Sequence, residues 1–253
     1  MSEKIEFMDL PFDSVTMEQT IEQCLEWCAD DKPARTLMTI NAALLMMMRS
    51  DPALNQANKA GDLIVADGLP VVWATRIIGT PLVGRVAGVD LMQNLLKVGD
   101  EKKLRIFLLG AKQEVLDSMF QLCAEKYPNL VIAGSRNGYF TEDDHAEIVG
   151  QIHESNTDIL FIGMPSPFKE IWGEKHRNEL GVSAIIGVGG SFDVIAGFVK
   201  RAPVWMQNIG MEWFWRLMME PRKMWKRYLV NNSQFIYRLG IEFFQKRFSF
   251  NSK

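Results

Sequence analysis

Seven short apolar runs punctuate the first 190 residues, and each stops at or next to Gly, Asn or Asp. They are IEFM near Ile5, TLMTI ending at Ile40, LIVA ending at Ala66, RIFLLG ending at Gly110, LVIAG ending at Gly134, ILFIG ending at Gly163 and SAIIGV ending at Val188. Most are β-branched or Leu-rich. They lack the period-two alternation of a sheet with one wet face, so they read as strands buried on both faces. Between them lie helix-like amphipathic segments at 17–29, 42–59, 69–78, 90–98, 113–126, 143–154 and 168–180. Strand alternating with helix gives βαβ units, hence an α/β fold with a mainly parallel sheet and helices on both faces.

Ligands of such sheets bind outside the carboxyl ends of the strands. The residues that follow each run are therefore the candidates for chemistry. Asn41 follows TLMTI, and Asp67 and Gly68 follow LIVA. Tyr139, in SRNGYF, follows LVIAG, and Lys169, in MPSPFKE, follows ILFIG. Gly189, Gly190 and Asp193, in GGSFD, follow SAIIGV. Polar, glycine-rich and aromatic groups thus converge on one rim.

Each of these has two readings. Asp67 in VADGLP either closes a strand and starts the next helix, with Pro70 in its first turn, or is a carboxylate at a cleft mouth able to take a proton from an attacking hydroxyl. Thr39 and Asn41 either hold sugar hydroxyls or satisfy loop backbone. Arg85, in a loop with Gly79, Gly84 and Gly88, either binds phosphate or makes a surface ion pair. Backbone N–H groups at Gly189 and Gly190 can receive a diphosphate. LLGAK and GVGGSFD lack the order of the dinucleotide fingerprint, so a nicotinamide cofactor is poorly supported. Cys24 and Cys28 share a helix face as apolar filler, and three scattered His do not make a metal site.

The last 54 residues differ from the rest. From Lys200 onward there are eleven Lys/Arg against three Glu and no Asp, a net of +8, which leaves −11 on the first 199 residues of a chain whose total is −3. That segment also holds four of the seven Trp and six of the fifteen Phe. Basic residues interleaved with Trp, Phe, Leu and Met suit an anionic bilayer surface, and the apolar content is too high for a nucleic-acid grip to be preferred. Completion of the core or of an oligomer interface is the other reading. We expect a body at 1–199 and a helical, basic, aromatic appendage at 200–253. No apolar run is long enough to span a bilayer, and MSEKIEFMDLPFDS lacks the basic-then-apolar order of a signal peptide. The expectation is a cytoplasmic chain that touches the membrane surface without crossing it.

Taken in order, TIN at 39–41, ADGLPVVW at 66–73, GRVAGVDL at 84–91, FLLGAK at 107–112, NGYF at 137–140, GVGGSFDVIAG at 187–197 and RAPVWMQNIGMEWFWRLMMEPRKMWKRYL at 201–229 resemble the WecG/TagA/CpsF family of bacterial glycosyltransferases (glycosyltransferase family 26). The resemblance implies a Rossmann-like domain with a C-terminal appendage. It implies inverting, metal-independent transfer of a hexose from a UDP-sugar to a polyprenyl-diphosphate-linked acceptor at the inner face of the cytoplasmic membrane, for cell-surface polysaccharide. No cofactor and no nucleic acid are implied, and a homo-oligomer is.

By position, Asp67 looks like the base, Thr39 and Asn41 like sugar contacts and Arg85 like a diphosphate contact. Gly68, Gly189 and Gly190 line the same rim, and Tyr139 and Asp193 look like nucleotide-sugar contacts. Arg216, Arg222, Lys223, Lys226 and Arg227 lie in the appendage used at the membrane and over the site. The chain departs from the family pattern at GMPSPFKE, where Lys169 falls roughly at a Gln that sits near the sugar. An ammonium there favours an anionic partner, so N-acetylmannosaminuronate or glucose joins N-acetylmannosamine among the candidate donors. The alternative reading is a non-catalytic nucleotide-sugar-binding or membrane-docking scaffold.

Overall fold

The computed structural model of the chain describes residues 2–30 and 32–250, without the side chains of Lys223, Lys226, Arg227 and residues 246–250. β1 (Lys4–Phe7) and β2 (Leu10–Asp13) pair as an antiparallel hairpin. β3 (Arg35–Ile40), β4 (Leu63–Ala66), β5 (Arg105–Gly110), β6 (Val131–Arg136), β7 (Ile159–Gly163) and β8 (Ala184–Gly187) form one parallel sheet in the order β4-β3-β8-β7-β5-β6. The first apolar run is thus not part of the main sheet, and β2 escapes a sequence reading because Pro11 breaks the strand signal. The hairpin lies against the β4 edge of the main sheet. The buried Asp13 carboxylate accepts the Ile64 N–H of β4 at 2.9 Å and pairs with Lys4, so an edge donor is satisfied without a further strand.

Alternate strand residues point to opposite faces. Leu37, Val65, Leu108, Phe161 and Ile186 meet Cys24, Trp27, Leu91, Leu95 and Met119 on one face. On the other, Ile40, Ile64 and Ala66 meet Leu44, Leu45, Val71 and Val72, while Leu109, Leu160 and Ile162 meet Ile148, Ile152 and Trp172. Helices therefore cover both faces, as continuous apolar strands require.

The helices Met17–Ala29 and Gln113–Lys126 fall where their amphipathic pattern puts them. The segment 42–59 is two helices, Ala42–Ser50 and Pro52–Lys59. Pro52 has no N–H and disfavours helical geometry at Asp51, which stays extended and caps Leu54 N–H through Oδ1 at 3.0 Å.

From Lys200 the chain is helical: Val204–Asn208, Glu212–Met219, Pro221–Trp225, a π turn at Lys226–Val230, and Asn231–Phe250. It departs after the helix Ser191–Ile195, whose Phe192 lies in the first face's core, and delivers Phe235 into the second face's core against Phe7. A chain that begins on one face and ends on the other must cross an edge of the sheet. It crosses at the carboxyl ends of β3 and β4. No helix among the described residues is long and apolar enough to cross a membrane.

One glycine tests the β5–β7 register. Gly110 closes β5 at φ +126°, and a Cβ there would sit 2.6 Å from the backbone carbonyl of Gly163. Backbone cannot move aside as a side chain can. Gly110→Ala is expected to lower stability by about 2–5 kcal/mol, read as a lower urea midpoint with an unchanged slope.

Candidate active site

β3 lies between β4 and β8, and the chain leaves β3 and β8 towards opposite faces: Ala42 and Leu44 join one core and Phe192 the other. Loops that part this way open a crevice at the carboxyl ends. The cavity there measures about 800 Å³ with its open mouth. Asn41, Asp67, Gly68, Arg85 and Val188 line it from the body, and Glu212, Trp213, Arg216 and Tyr228 roof it from the C-terminal helices.

Backbone geometry aims the central carboxylate. The Asp67 N–H donates to Ile40 O at 2.9 Å, continuing the β3–β4 ladder one residue past the strand. Gly68 then takes φ 119°, open to glycine and strained for other residues, and turns the chain into the helix Leu69–Ile77. Val86 N–H donates to Ala66 O at 2.9 Å. That bond lays the glycine-bearing loop against the end of β4 and brings Arg85 into the same cavity as Asp67.

Asp67 is half-buried: its side chain opens onto the cavity while protein surrounds it elsewhere. Burial pushes its carboxyl above the ordinary Asp value of 3.8. The Glu212 carboxylate adds to that rise, and Arg216, Arg85 and Lys169 oppose it. Desolvation that raises a carboxyl against nearby cations is an arrangement that clusters at functional sites.

A four-residue charge network fastens the roof. Arg201 grips Asp90 with two bonds, Nη1 to Oδ1 at 2.5 Å and Nη2 to Oδ2 at 2.8 Å. Glu212 lies between Arg201 (Nε to Oε1, 3.4 Å) and Arg85 (Nη1 to Oε2, 3.5 Å), and Arg85 also reaches Asp90 at 3.4 Å. Asp90 and Arg85 belong to the body, Arg201 and Glu212 to the C-terminal segment. A two-pronged guanidinium–carboxylate pair fixes orientation as well as distance, so the network sets where the roof sits. Sequence reading gave none of Asp90, Arg201 and Glu212 a role. Asp90 and Arg201 stand 111 positions apart, and no local pattern reports such a pairing.

Of the residues singled out from sequence, Asn41, Asp67, Gly68, Arg85 and Arg216 come together in the cavity. Asn41 caps the helix Ala42–Ser50 through Oδ1 to Leu44 N–H at 3.0 Å, which leaves its amide donors for the cavity. Thr39 is buried below it, its hydroxyl donating to Gly187 O at 3.3 Å. Gly189, at φ 55°, and Gly190 form the turn after β8, close to Lys169.

Tyr139 is 71% exposed and, like the partly exposed Asp193, stands outside the cavity wall. Arg222 is exposed on the C-terminal helices, and the side chains of Lys223, Lys226 and Arg227 lie outside the described residues. Lys169, expected from sequence to favour an anionic partner, packs against Gly187. Its Nζ is ion-paired with the buried carboxylate of Glu170, so its charge already has a partner. Among the described residues no three His, Cys, Asp or Glu side chains group as metal ligands.

The model of the "Glycosyl transferase WecG/TagA/CpsF family" matches residues 5–249. Similar proteins include one from Bacillus subtilis strain 168, 34% identical over 221 residues, covering 87% of this chain and 85% of that protein. Another, from Bacillus spizizenii strain W23, is 33% identical over 79% of this chain and 77% of its own length. A third, from Staphylococcus aureus strain MW2, is 32% identical over 88% and 86%. All three carry the name N-acetylglucosaminyldiphosphoundecaprenol N-acetyl-beta-D-mannosaminyltransferase. With the match running from β1 into the last helix, through the cavity and its roof, the chain belongs to the WecG/TagA/CpsF family of glycosyl transferases.

Proposed function

We propose that this protein transfers an N-acetylmannosamine-type hexose from a UDP-sugar to a hydroxyl of a sugar carried on a polyprenyl diphosphate, with inversion at the anomeric carbon. The observation that carries this reading is the placement of Asp67, with its raised proton affinity, in one cavity with Arg85 and Arg216. Asp67 takes the proton of the acceptor hydroxyl as the oxygen attacks the anomeric carbon. The bond from that carbon to the UDP oxygen breaks on the opposite side, and the diphosphate leaves with its electron pair. The guanidinium groups of Arg85 and Arg216 stabilise the departing charge, a role a divalent cation fills in other transferases. The names of the relatives support the acceptor class.

Trp205, Met218 and Trp225 are exposed on the C-terminal helices, as are Arg222 and Arg238. A surface of aromatic, apolar and basic groups suits an anionic bilayer, so we place the enzyme at the inner face of the cytoplasmic membrane, where a lipid-linked acceptor would meet the roofed cavity.

The paired state of Lys169 favours a neutral donor. Purified protein given a panel of UDP-hexoses, a synthetic diphospholipid-linked N-acetylglucosamine and EDTA is expected to turn over the N-acetylmannosamine donor at least tenfold faster than its uronate. Faster transfer of the uronate would overturn the donor assignment. Loss of all turnover in EDTA would overturn the cationic-side-chain role.

A further inference from the structure

The four charges that fasten the roof close into a ring of alternating sign: Arg201 to Asp90, Asp90 to Arg85, Arg85 to Glu212 and Glu212 back to Arg201. The ring has two unlike halves. Arg201 and Asp90 form the tight one, with two bonds at 2.5 and 2.8 Å, and both stand outside the cavity wall. Arg85 and Glu212 form the loose one, and both line the cavity with Asp67. Arg85 Nη2 lies 3.4 Å from Asp90 and Nη1 lies 3.5 Å from Glu212. Those contacts are longer than ordinary charge-assisted hydrogen bonds, so the guanidinium is steered from two sides yet remains able to take another anion. No side chain of the four is more than 30% exposed, so water and salt screen these charges only in part. Arg85 belongs to the body and Glu212 to the roof. Theirs is the pair of the ring that both faces the cavity and joins the two parts. The transfer mechanism gives Glu212 no task, and a carboxylate beside a cation that serves a diphosphate opposes the binding of that diphosphate.

We propose that Glu212 is a positioning residue: it keeps the Arg85 guanidinium aimed into the cavity, and does so only when the roof helix Glu212–Met219 is in place. The proposal rests on Arg85 acting on the diphosphate. Glu212 weakens ground-state binding of the donor, because its negative charge lies beside a cation that the donor uses. It also holds Arg85 ready before charge develops on the leaving group, which favours the chemical step over binding. The two-pronged Arg201–Asp90 pair fastens the roof by itself, so Glu212 can be altered without releasing the helix.

Glu212→Gln keeps the length of the side chain and removes its charge. The variant should lose at least about tenfold in kcat and bind UDP about threefold or more tightly by calorimetry. Lower turnover with tighter nucleotide binding is a split that loss of folding, or of the roof, does not produce. Turnover is compared on the alkaline plateau, because Glu212 also raises the proton affinity of Asp67 and its removal moves the acid limb. Parental kcat would overturn the proposal. So would unchanged or weaker binding of UDP, which would make Glu212 a fastener of the roof alone. If Glu212→Gln does not fold, as judged by circular dichroism and melting, Glu212→Asp decides. That variant keeps the charge, but a side chain shorter by a methylene draws the carboxylate away from Arg85. Its kcat should fall while its affinity for UDP stays within about twofold of the parent. Parental kcat there, or a matching loss of UDP affinity, overturns the proposal. Arg85→Ala, measured beside them, separates the two ideas. If it keeps parental turnover, the reading of Arg85 has failed; if it loses turnover while Glu212→Gln does not, the role of Glu212 has failed.

Discussion

Asp67→Asn is expected to lower kcat by about 10²–10⁴-fold while the dissociation constant for the UDP-sugar changes less than about threefold, as read by calorimetry. The amide keeps the shape and the hydrogen-bonding reach of the carboxylate but cannot take a proton. The acceptor oxygen then attacks as a hydroxyl, and only proximity and leaving-group stabilisation remain. Parental turnover in this variant would remove the base from the mechanism. Two further readouts come from the raised proton affinity. Activity of the parent should rise with pH along a limb lying above the ordinary Asp value of 3.8, and the variant's residual activity should lack that limb.

The folded carboxyl binds its proton more tightly than the unfolded one. Stability is therefore lost as pH climbs from the ordinary carboxylate range through the raised folded value, and it stays lower above it. Asn carries no such cost. The variant should accordingly melt higher than the parent at neutral pH, and the gap should close in acid. A site residue whose removal stabilises the protein is what a strained, functional carboxylate predicts.

Much of this arrangement was legible in the sequence, for a specific reason. Parallel strands buried on both faces are continuous apolar runs, so TLMTI, LIVA, ILFIG and their neighbours announce themselves, and the rule that ligands gather at strand carboxyl ends then singles out Asn41 and Asp67. Arg85 was legible through its loop glycines. What escaped has no local signature. The hairpin strand Leu10–Asp13 contains a proline, and its value lies in one buried carboxylate reaching Ile64, 51 positions away. The Glu170 partner of Lys169 stood beside it in the sequence, but only burial reveals that the pair is closed on itself. The basic, aromatic C-terminal composition suggested a membrane surface. Completion of the core was the other reading, but composition did not say that Phe235 is the residue that enters it or that Glu212, an acid in a basic segment, bridges two arginines.

That division of labour within the C-terminal helices shapes the second large effect. Deleting the chain after Lys200 would be a poor test of their role in transfer, because it strips Phe235 from the core around Phe7 and removes Tyr228. The body would lose stability whether or not the roof is catalytic. Arg216→Ala avoids this, since Arg216 is only partly buried and reaches the cavity from a helix with no fully buried residue. The variant is expected to melt within a few degrees of the parent and to lose about 10²–10³-fold in kcat, the usual cost of removing one preorganised partner of developing charge. Arg216→Lys should recover only part of the loss, because an ammonium restores charge without the planar fork that grips a diphosphate. The same cation opposes the proton affinity of Asp67, so in Arg216→Ala the acid limb of kcat/KM should also move to higher pH. A fall in kcat with an unmoved limb would place Arg216 on the leaving group alone, away from the base. An unchanged kcat would mean that the roof covers the cavity without entering the reaction.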